Sequence, residues 1–334
     1  MAELRRFLLR RLATFIPTIV GVTFLVFFVA VVVPGNPARL WAGGEKASPQ
    51  VVERLVKEYH LDAPWYEQYY YFLKMILTGQ AVSPVTHSNV WNEIVSRFKT
   101  VTLPLTLLSF TLIVAIGVPL GILAAIYRDT ILDMVIRAFA LIGISTPIFW
   151  LAYLAIFFFS KYGLVTLAGI PEPPPGERLT GVPLIDALLH LDFGYLAALL
   201  KRLWLPALLL AYTGIGVITR LVRNSFLDAY TRDYVEFMHA RGFPRLRIYR
   251  HVLRNALAPI VTVLGLQFGG LLAGAVITET IFGLPGLGSY MVQAINNFDY
   301  LGLMAGVLFI AFIYTTVNLI VDILYAVIDP RVRY

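Results

Sequence analysis

Long apolar runs separated by polar loops form the main pattern of this sequence. Six of these runs approach or exceed the roughly 20 helical residues that cross a hydrocarbon core about 30 Å thick. They cover residues 12–33, 103–126, 138–159, 204–222, 259–281 and 301–325. Apolar and polar positions do not alternate within them, which excludes the strands of a membrane barrel. The pattern therefore predicts an all-α integral membrane protein with six transmembrane helices.

Two of the runs have unusual features. The run 204–222 is the weakest, because Arg220 interrupts it near one end, where its long side chain can reach the interface. The run 12–33 follows a cluster of arginines, as the apolar region of a secretory signal would. It is longer than the about 7–15 residues of such a region and lacks a clear cleavage pair, so we expect it to remain as an anchor.

The segments between the runs divide the chain into parts. We expect a tail and first helix at 1–33, an extracytoplasmic helical domain at 34–100, a transmembrane core at 101–328 and a cytoplasmic tail at 329–334. In the second part, apolar stripes predict one helix from Ser48-Pro49 and another from Asp62-Ala63-Pro64. We expect its aromatic residues, such as Trp65 and Tyr69, to pack this domain or lie at headgroup level rather than form a substrate cage.

Composition excludes several other classes of protein. Hydrophobic residues make up 58% of the chain and charged residues 14%, whereas a soluble domain carries about 25% charged residues. The chain has no cysteine, so disulfides, cysteine metal sites and cysteine nucleophiles are excluded.

The basic residues predict the orientation of the chain in the membrane. With both termini in the cytoplasm, the inner segments hold 16 Lys and Arg and a net charge of +9, whereas the outer segments hold 11 and a net charge of 0. Basic loops are retained on the cytoplasmic side. The overall charge of +7 is therefore interpreted as a topology signal, and no nucleic-acid partner is expected.

Motifs of soluble enzymes are missing from the sequence. It has no G-x4-G-K-[ST] loop for nucleotide phosphates, and its five histidines form no H-E-x-x-H pair. We therefore expect no catalytic residue, no metal and no cofactor bound by this chain. Polar side chains within the runs suit hydrogen bonds between helices better than catalysis. The candidates for lining a solute pathway are Ser145, Thr146, Tyr212, Thr213, Gln267 and Asn318.

Two acids lie within the runs and allow two interpretations. An acid in a membrane helix is costly and by default indicates function. Glu279 lies near the outer end of its run and Asp322 near the inner end of its own, where water or a helix cap can satisfy each one. The structural interpretation is therefore favoured. Asn318 lies one turn before Asp322, which predicts a polar pair on one helix face.

The cytoplasmic segment 228–258 has a pattern of its own. It predicts two short helices joined by a turn at Gly242-Phe243-Pro244. Glycine stops a helix, Phe243 is held extended by the proline that follows it, and Pro244 starts the next helical turn. An amphipathic helical finger outside the membrane needs a partner for its apolar side chains.

Several sequence patterns together resemble one family of membrane proteins. They are Tyr234…Ala240-x-Gly242, Arg250-His251-x-Leu253-Arg254-Asn255-Ala256-x-x-Pro259, Glu279-Thr280-x-Phe282-x-x-Pro285-Gly286-x-Gly288 and Asp329-Pro330-Arg331. With these patterns the chain resembles the dipeptide/oligopeptide/nickel branch of binding-protein-dependent ABC importer permeases along essentially its whole length.

The resemblance implies a type I ABC importer permease fold in the inner membrane of a prokaryote. It also implies a second homologous permease, two ATP-binding cassette subunits that hold ATP and Mg, and an extracytoplasmic solute-binding protein. Peptides, nickel chelates or oligosaccharides would be the solutes. Glu279, Pro285 and Gly286 become candidates for an outer gate or a structural turn. The family's ATPase-coupling segment corresponds to Tyr234, Glu236, Ala240, Arg241, Gly242, Phe243, Pro244 and Arg245.

A stand-alone secondary transporter or channel is the alternative. Such a carrier should show midplane acids or broken helices in two related halves, and the sequence shows neither a clear repeat nor a central carboxylate. Pro119 and Pro147 predict kinks, which serve either structure or a hinge. Pairs of glycines four residues apart suit either sliding or static packing of helices. These pairs are Gly117/Gly121, Gly265/Gly269, Gly270/Gly274 and Gly302/Gly306.

Overall fold

The computed structural model describes residues 2–32, 36–44, 47–164, 169–171 and 179–328. Within these ranges the chain is helical, and its only extended pairing is an isolated bridge between Val82 and Asn89. The prediction of an all-α protein is confirmed for this part of the chain. The tail at 329–334, with its Asp329-Pro330-Arg331 motif, lies outside the described residues.

The helices are numbered here in chain order. They are α1 (Ala2–Phe27), α2 (Pro37–Trp41), α3 (Pro49–Glu58), α4 (Trp65–Leu77), α5 (Val90–Ile126), α6 (Ile131–Ser145), α7 (Ile148–Ser160), α8 (Pro183–Leu189), α9 (Phe193–Tyr230), α10 (Asp233–Ala240), α11 (Arg245–Phe282), α12 (Leu287–Asn296) and α13 (Tyr300–Ile328). The two helices predicted between 48 and 77 are α3 and α4. Helix α4 begins after Pro64 rather than with a side-chain cap from Asp62.

Helices α5, α9, α11 and α13 each contain a stretch long and apolar enough to cross a membrane. Two pairs separated by sharp bends, α6 with α7 and the end of α11 with α12, raise the possible number of spans to six. Helix α1 adds a shorter apolar stretch at Phe15–Phe27. The described helices thus agree with a multi-pass membrane protein.

Helix α5 runs without a break through the expected domain boundary at residue 100. It contains two wider, π-helical turns, Phe98–Thr102 and Ile113–Gly117, each ending two residues before a proline. A proline inside a helix lacks the N–H and presses on the carbonyl four residues earlier, and a wider turn relieves that contact. Pro119 therefore changes the local winding of α5 and does not end the helix.

The run 138–159 does not form one straight helix. It divides into α6 and α7, whose axes are bent by 103°. Thr146 is extended, with φ −91° and ψ 126°, a conformation favoured because the Pro147 ring disfavours the helical one for the residue before it. The kink predicted at Pro147 is thus a complete break.

Helix α9 lies at the centre of the fold. It packs against α5, α6, α7 and α11. In its 18-residue apolar stretch 61% is buried, against 28% in the corresponding stretch of each of α5, α11 and α13. Glycines allow this close packing: a Cβ on Gly216 of α9 would lie 2.5 Å from the Ala140 carbonyl oxygen of α6. Arg220 weakens the hydropathy of a helix that mostly faces protein rather than lipid.

Three of the four glycine pairs predicted in the runs pack against neighbouring helices. Gly121 of α5 approaches Val222 of α9, Gly269 of α11 approaches Tyr314 of α13, and Gly306 of α13 approaches Met291 of α12. Gly270 differs, because a Cβ added to it would meet no atom within 4 Å. The small residues of the fifth run therefore leave one face of α11 uncovered at this position.

A second hydrophobic core joins α2, α3 and α4 to the ends of α1, α5 and α13. We call residues 36–44 and 47–89 the loop domain. A buried hydrogen bond of 2.6 Å from the Ser83 hydroxyl to Asp299 Oδ2 fixes it, while Asp299 Oδ1 accepts from the Gly302 N–H in the first turn of α13. The loop domain and α10 thus lie at opposite ends of α11, whose 38 residues span about 57 Å.

Candidate coupling and translocation sites

Helix α10 and the turn after it form a short finger between α9 and α11. The Gly242 N–H bonds to the His239 carbonyl and the Phe243 N–H to the Met238 carbonyl, at 2.9 and 3.1 Å. This pair of bonds is the Schellman arrangement, which needs a left-handed residue after the helix. Gly242 provides it with φ +71°. The predicted glycine stop is therefore confirmed, and Pro244 then caps the start of α11.

One face of α10 holds it on the protein. Val235 and Met238 are buried in the larger hydrophobic core, which is built around α9 and which Tyr234 and Phe243 border. His239 lies 3.3 Å from the Tyr230 hydroxyl at the end of α9. The position of the finger is therefore fixed by both helices that flank it.

The other face of the finger is exposed and mixes apolar and basic groups. Phe237 is 56% exposed and Leu246, at the start of α11, is 81% exposed. The Arg241 guanidinium lies over the Phe237 ring at 4.6 Å. Glu236, Ala240 and Arg245 are also exposed. Such a surface offers apolar side chains and charges together to a binding partner.

The second short helix predicted after the turn is not separate. Arg245 begins α11, which continues without interruption to Phe282. Pro259 lies inside this helix and does not end it. The finger is therefore attached directly to a helix that runs through the whole molecule.

Three of the candidate pathway residues lie near the break between α6 and α7. Ser145 is exposed and ends α6, while the Thr146 hydroxyl bonds back to the Ile142 carbonyl at 2.7 Å. Tyr212 of α9 packs on this region, with its ring 5.3 Å from that of Phe139. The structure thus brings Tyr212 to α6, on which the break lies.

The other candidates are spread over different helices. Gln267 of α11 lies against Gly214 of α9. Thr213, the residue before Gly214, is half-buried. Asn318 lies on α13, and its Oδ1 is buried without a hydrogen-bond partner among the described residues. Asn318 and Asp322 line one cavity of about 220 Å³ between α13 and α1, so the predicted shared face is present. The six candidates do not form a single cluster.

Glu279 lies at the centre of a buried network at the far end of α11. Its carboxylate is fully buried and accepts hydrogen bonds from the Thr102 hydroxyl at 2.7 Å and the Ser289 N–H at 3.1 Å. The Thr102 hydroxyl in turn accepts from the Leu287 N–H at 2.9 Å. The acid therefore joins α5, α11 and α12 and helps cap the first turn of α12.

The glycines that follow Glu279 make room for this network. A side chain on Gly286 would overlap the Glu279 carboxylate, and one on Gly288 would overlap the Val276 backbone. Pro285 is exposed in the turn between α11 and α12, where the helix axis bends by 77°. The sequence pattern from Glu279 to Gly288 is thus one structural unit.

Sequence reasoning did not identify a buried ion pair between α6 and α9. Arg223 holds Asp133 through two bonds, Nε to Oδ1 at 2.8 Å and Nη2 to Oδ2 at 2.9 Å. Arg137 adds a contact of 3.2 Å to Oδ1. Asp133 is completely buried in the first turn of α6. It precedes the predicted run 138–159, so the apolar pattern gave no signal for it.

Comparison with known families covers almost the whole chain. Residues 117–334 match the model of the binding-protein-dependent transport system inner membrane component. Residues 4–107 match the N-terminal model of binding-protein-dependent transport system membrane components.

Individual relatives agree with the family models. The chain is 38% identical to the dipeptide transport system permease protein DppB of Escherichia coli (strain K12), covering 98% of this chain and 99% of the relative. It is 37% identical to the di/tripeptide transport system permease protein DppB of Pseudomonas aeruginosa, with 98% of each chain covered. It is 37% identical to the probable D,D-dipeptide transport system permease protein DdpB of Escherichia coli (strain K12), covering 94% of this chain and 93% of the relative. The chain belongs to the family of inner membrane components of binding-protein-dependent transport systems.

Proposed function

We propose that this chain is the membrane-spanning permease subunit of an ATP-driven importer of dipeptides and other short peptides. The main support is the match to peptide permeases over almost the full length of both chains. Their names favour peptides over nickel chelates or oligosaccharides. A family whose members work with binding proteins does not favour the alternative of a stand-alone carrier or channel.

The proposed topology has six spans with both termini in the cytoplasm and the loop domain outside. It rests on the six apolar runs and on the charge difference of +9 against 0. Beyond the four long helices, α1 and the bent pair of α6 and α7 would supply the other two spans. The opposite positions of α10 and the loop domain along α11 agree with this orientation.

The finger is proposed to couple the membrane helices to an ATPase subunit. Its residues from Tyr234 to Arg245 present an exposed apolar and basic surface, while Val235 and Met238 hold it on α9 and α11. Because α11 starts at the turn and runs to Glu279, a displacement of the finger would be carried along a single helix. ATP and Mg would be bound by the partner subunits.

Solute is proposed to pass between this chain and a second homologous permease. The polar candidates from Ser145 to Asn318 are spread over several helices and do not surround one channel within this chain. The uncovered face of α11 at Gly270 is available to a partner helix. An extracytoplasmic binding protein would deliver the peptide.

Reconstitution tests this function directly. Vesicles that contain this chain, the second permease and the two ATPase subunits should take up a labelled dipeptide only with ATP and the binding protein. Vesicles with this chain alone should take up none. Uptake of dipeptide by the chain alone would contradict the proposal and support the stand-alone carrier.

A further inference from the structure

Helix α4 of the loop domain packs along the C-terminal half of α1, which is the outer half in the topology proposed above, on which this inference rests. The Tyr69 hydroxyl lies 2.7 Å from the Thr23 hydroxyl and 3.4 Å from the Val20 carbonyl. The rings of Trp65 and Phe24 form an edge contact at 6.0 Å. These contacts fix the depth of α4 relative to the first helix.

That depth is well below the end of the first helix. The helix continues as a π-helical turn to Val32, and helical residues rise by about 1.5 Å each. Phe24 and Val20 therefore lie about 12 and 18 Å before Val32. Half the thickness of a hydrocarbon core is about 15 Å, so the contacts with α4 reach the depth of the outer leaflet.

One exposed flank of α4, between its buried side and its charged side, is apolar and aromatic. At 100° per residue, Tyr66, Tyr70 and Leu77 form one stripe and are 57%, 61% and 83% exposed, while Leu73 between them packs partly against the second core. The charged residues Glu67 and Lys74 follow along one edge of this stripe. Beyond its other edge the helix is buried through Phe72 and Ile76.

From this geometry we propose that α4 is an interfacial helix embedded in the outer leaflet, with Trp65, Tyr66 and Tyr70 in contact with lipid. Apolar exposed surface also continues on α1 beside this contact, where Phe24 is 39% and Phe28 46% exposed and Phe24 touches the Trp65 ring. Tyrosine and tryptophan are the residues that membranes hold at the headgroup boundary, and the charged edge can reach the headgroups.

A water-soluble partner fits this surface less well than lipid does. The stripe itself carries no charge, and the edge beside it carries one acid, Glu67, and one base, Lys74. The helix also adjoins α1 at the depth of the outer leaflet. Helix α3 provides the contrast, because its surface carries Glu53 and Lys57, which bond to each other at 2.7 Å with 68% and 72% of their side chains exposed. The loop domain therefore has one wet side and one side that the bilayer covers.

Lipid quenching tests this inference in the assembled importer. The chain has no cysteine, so single Tyr66→Cys, Tyr70→Cys and Leu77→Cys variants can each carry a fluorescent bimane group. Lys57→Cys on α3 is the matched control in the same domain. The complexes are placed in nanodiscs of phosphatidylcholine with or without brominated acyl chains.

We expect brominated lipid to reduce fluorescence at least twofold at positions 66 and 70, to have a similar or smaller effect at 77, and to leave position 57 unchanged. The three variants on α4 guard against the loss of folding in any one of them. Equal and weak quenching at positions 57, 66 and 70 would overturn the proposal. It would show that water or another subunit, and not lipid, covers the stripe. The test does not depend on which solute is carried.

Discussion

At the scale of single residues, Glu279 shows how a costly group in a membrane helix is made stable. The sequence marks it as an acid within an apolar run, and the structure surrounds its carboxylate with two donors and two glycines. Burial of a charge without partners would cost several kcal/mol, whereas hydrogen bonds from α5 and α12 offset that cost. The acid is therefore a structural junction between α5, α11 and α12.

This junction predicts a graded loss of stability. Replacing Glu279 by alanine leaves the Thr102 hydroxyl and the Ser289 N–H without their acceptor and should lower the free energy of unfolding by about 2–4 kcal/mol. Glu279→Gln keeps one acceptor and should cost less. Thermal denaturation of the purified complex measures both changes. Thr111→Val, at an exposed threonine of α5 that bonds only to its own helix, is the matched control and should be nearly neutral. Equal stability of the alanine variant and the wild type would contradict the junction.

The buried pair of Asp133 and Arg223 predicts a different pattern. Arg223→Met leaves a fully buried carboxylate with only Arg137 and a backbone N–H, and should cost about 3–5 kcal/mol. The double replacement of Asp133 by leucine and Arg223 by methionine should recover most of this loss, because neither charge is then buried.

An exposed ion pair provides the control for this prediction. Arg128→Met breaks the contact of Arg128 with Asp129 on the surface and should change stability by about 0.5 kcal/mol or less. Unfolding by heat, followed on purified protein, compares the variants. A double variant less stable than Arg223→Met would contradict the argument.

Partners of this kind were not predictable from the sequence. Glu279 and Thr102 are 177 positions apart, and Arg223 and Asp133 are 90 apart. The sequence identifies that a buried acid needs a donor, but several Thr, Ser and Arg side chains can supply one. Which of them does so depends on how the helices pack, and the π-helical turn that ends at Thr102 shifts the side chains that follow it.

At the scale of elements, the finger depends on the conformation of its turn. Gly242 has φ +71°, yet a Cβ there would meet nothing within 4 Å. A side chain therefore fits in space, and only the left-handed backbone resists it. This separates a backbone effect from a packing effect at the same position.

We expect Gly242→Val to lower ATP-driven dipeptide uptake at least fivefold while ATP hydrolysis continues, because a β-branched residue disfavours the left-handed turn. Gly242→Asn should retain most uptake, since asparagine tolerates this conformation. Both are measured in reconstituted vesicles with the complete set of subunits. Normal uptake coupled to normal hydrolysis in the valine variant would show that the turn has no role in coupling.

Close packing of α9 gives a second prediction for an element. Gly216→Ala places a Cβ 2.5 Å from the Ala140 carbonyl oxygen, so α6 must move, and we expect a loss of about 1–3 kcal/mol. Gly270→Ala is the matched control, because α11 has open space there and alanine favours the helix by up to about 1 kcal/mol. Melting of the purified chain in detergent compares the two. Equal effects of both alanines would show that α6 and α9 are not rigidly packed.

Most elements followed from the sequence, but their breaks and continuations did not. The apolar runs mark helices correctly, since length and hydropathy are local properties. The division of 138–159 at Thr146-Pro147 and the continuity of α11 through Pro259 show opposite outcomes for the same residue type. The outcome depends on whether neighbouring helices can accommodate the carbonyl group that a proline leaves without a hydrogen bond. The sequence near the proline does not contain this information.

At the scale of the whole molecule, the orientation in the membrane sets where each proposed partner binds. Helix α10 and the loop domain are at opposite ends of α11, so they should lie on opposite sides of the bilayer. The charge difference between the two sides supports the proposed cytoplasmic position of α10. The ATPase subunits and the binding protein then each meet the surface proposed for them.

Cysteine labelling tests this orientation without background, because the chain has no cysteine of its own. In intact cells, a membrane-impermeant maleimide should label Lys57→Cys on the exposed surface of α3 and leave Ala240→Cys on α10 unlabelled. After the cells are opened and the ATPase subunits are stripped, both positions should react, which shows that Ala240→Cys is exposed and only on the other side. Labelling at position 240 from outside intact cells would contradict the cytoplasmic finger, and with it the route by which ATP hydrolysis reaches α11.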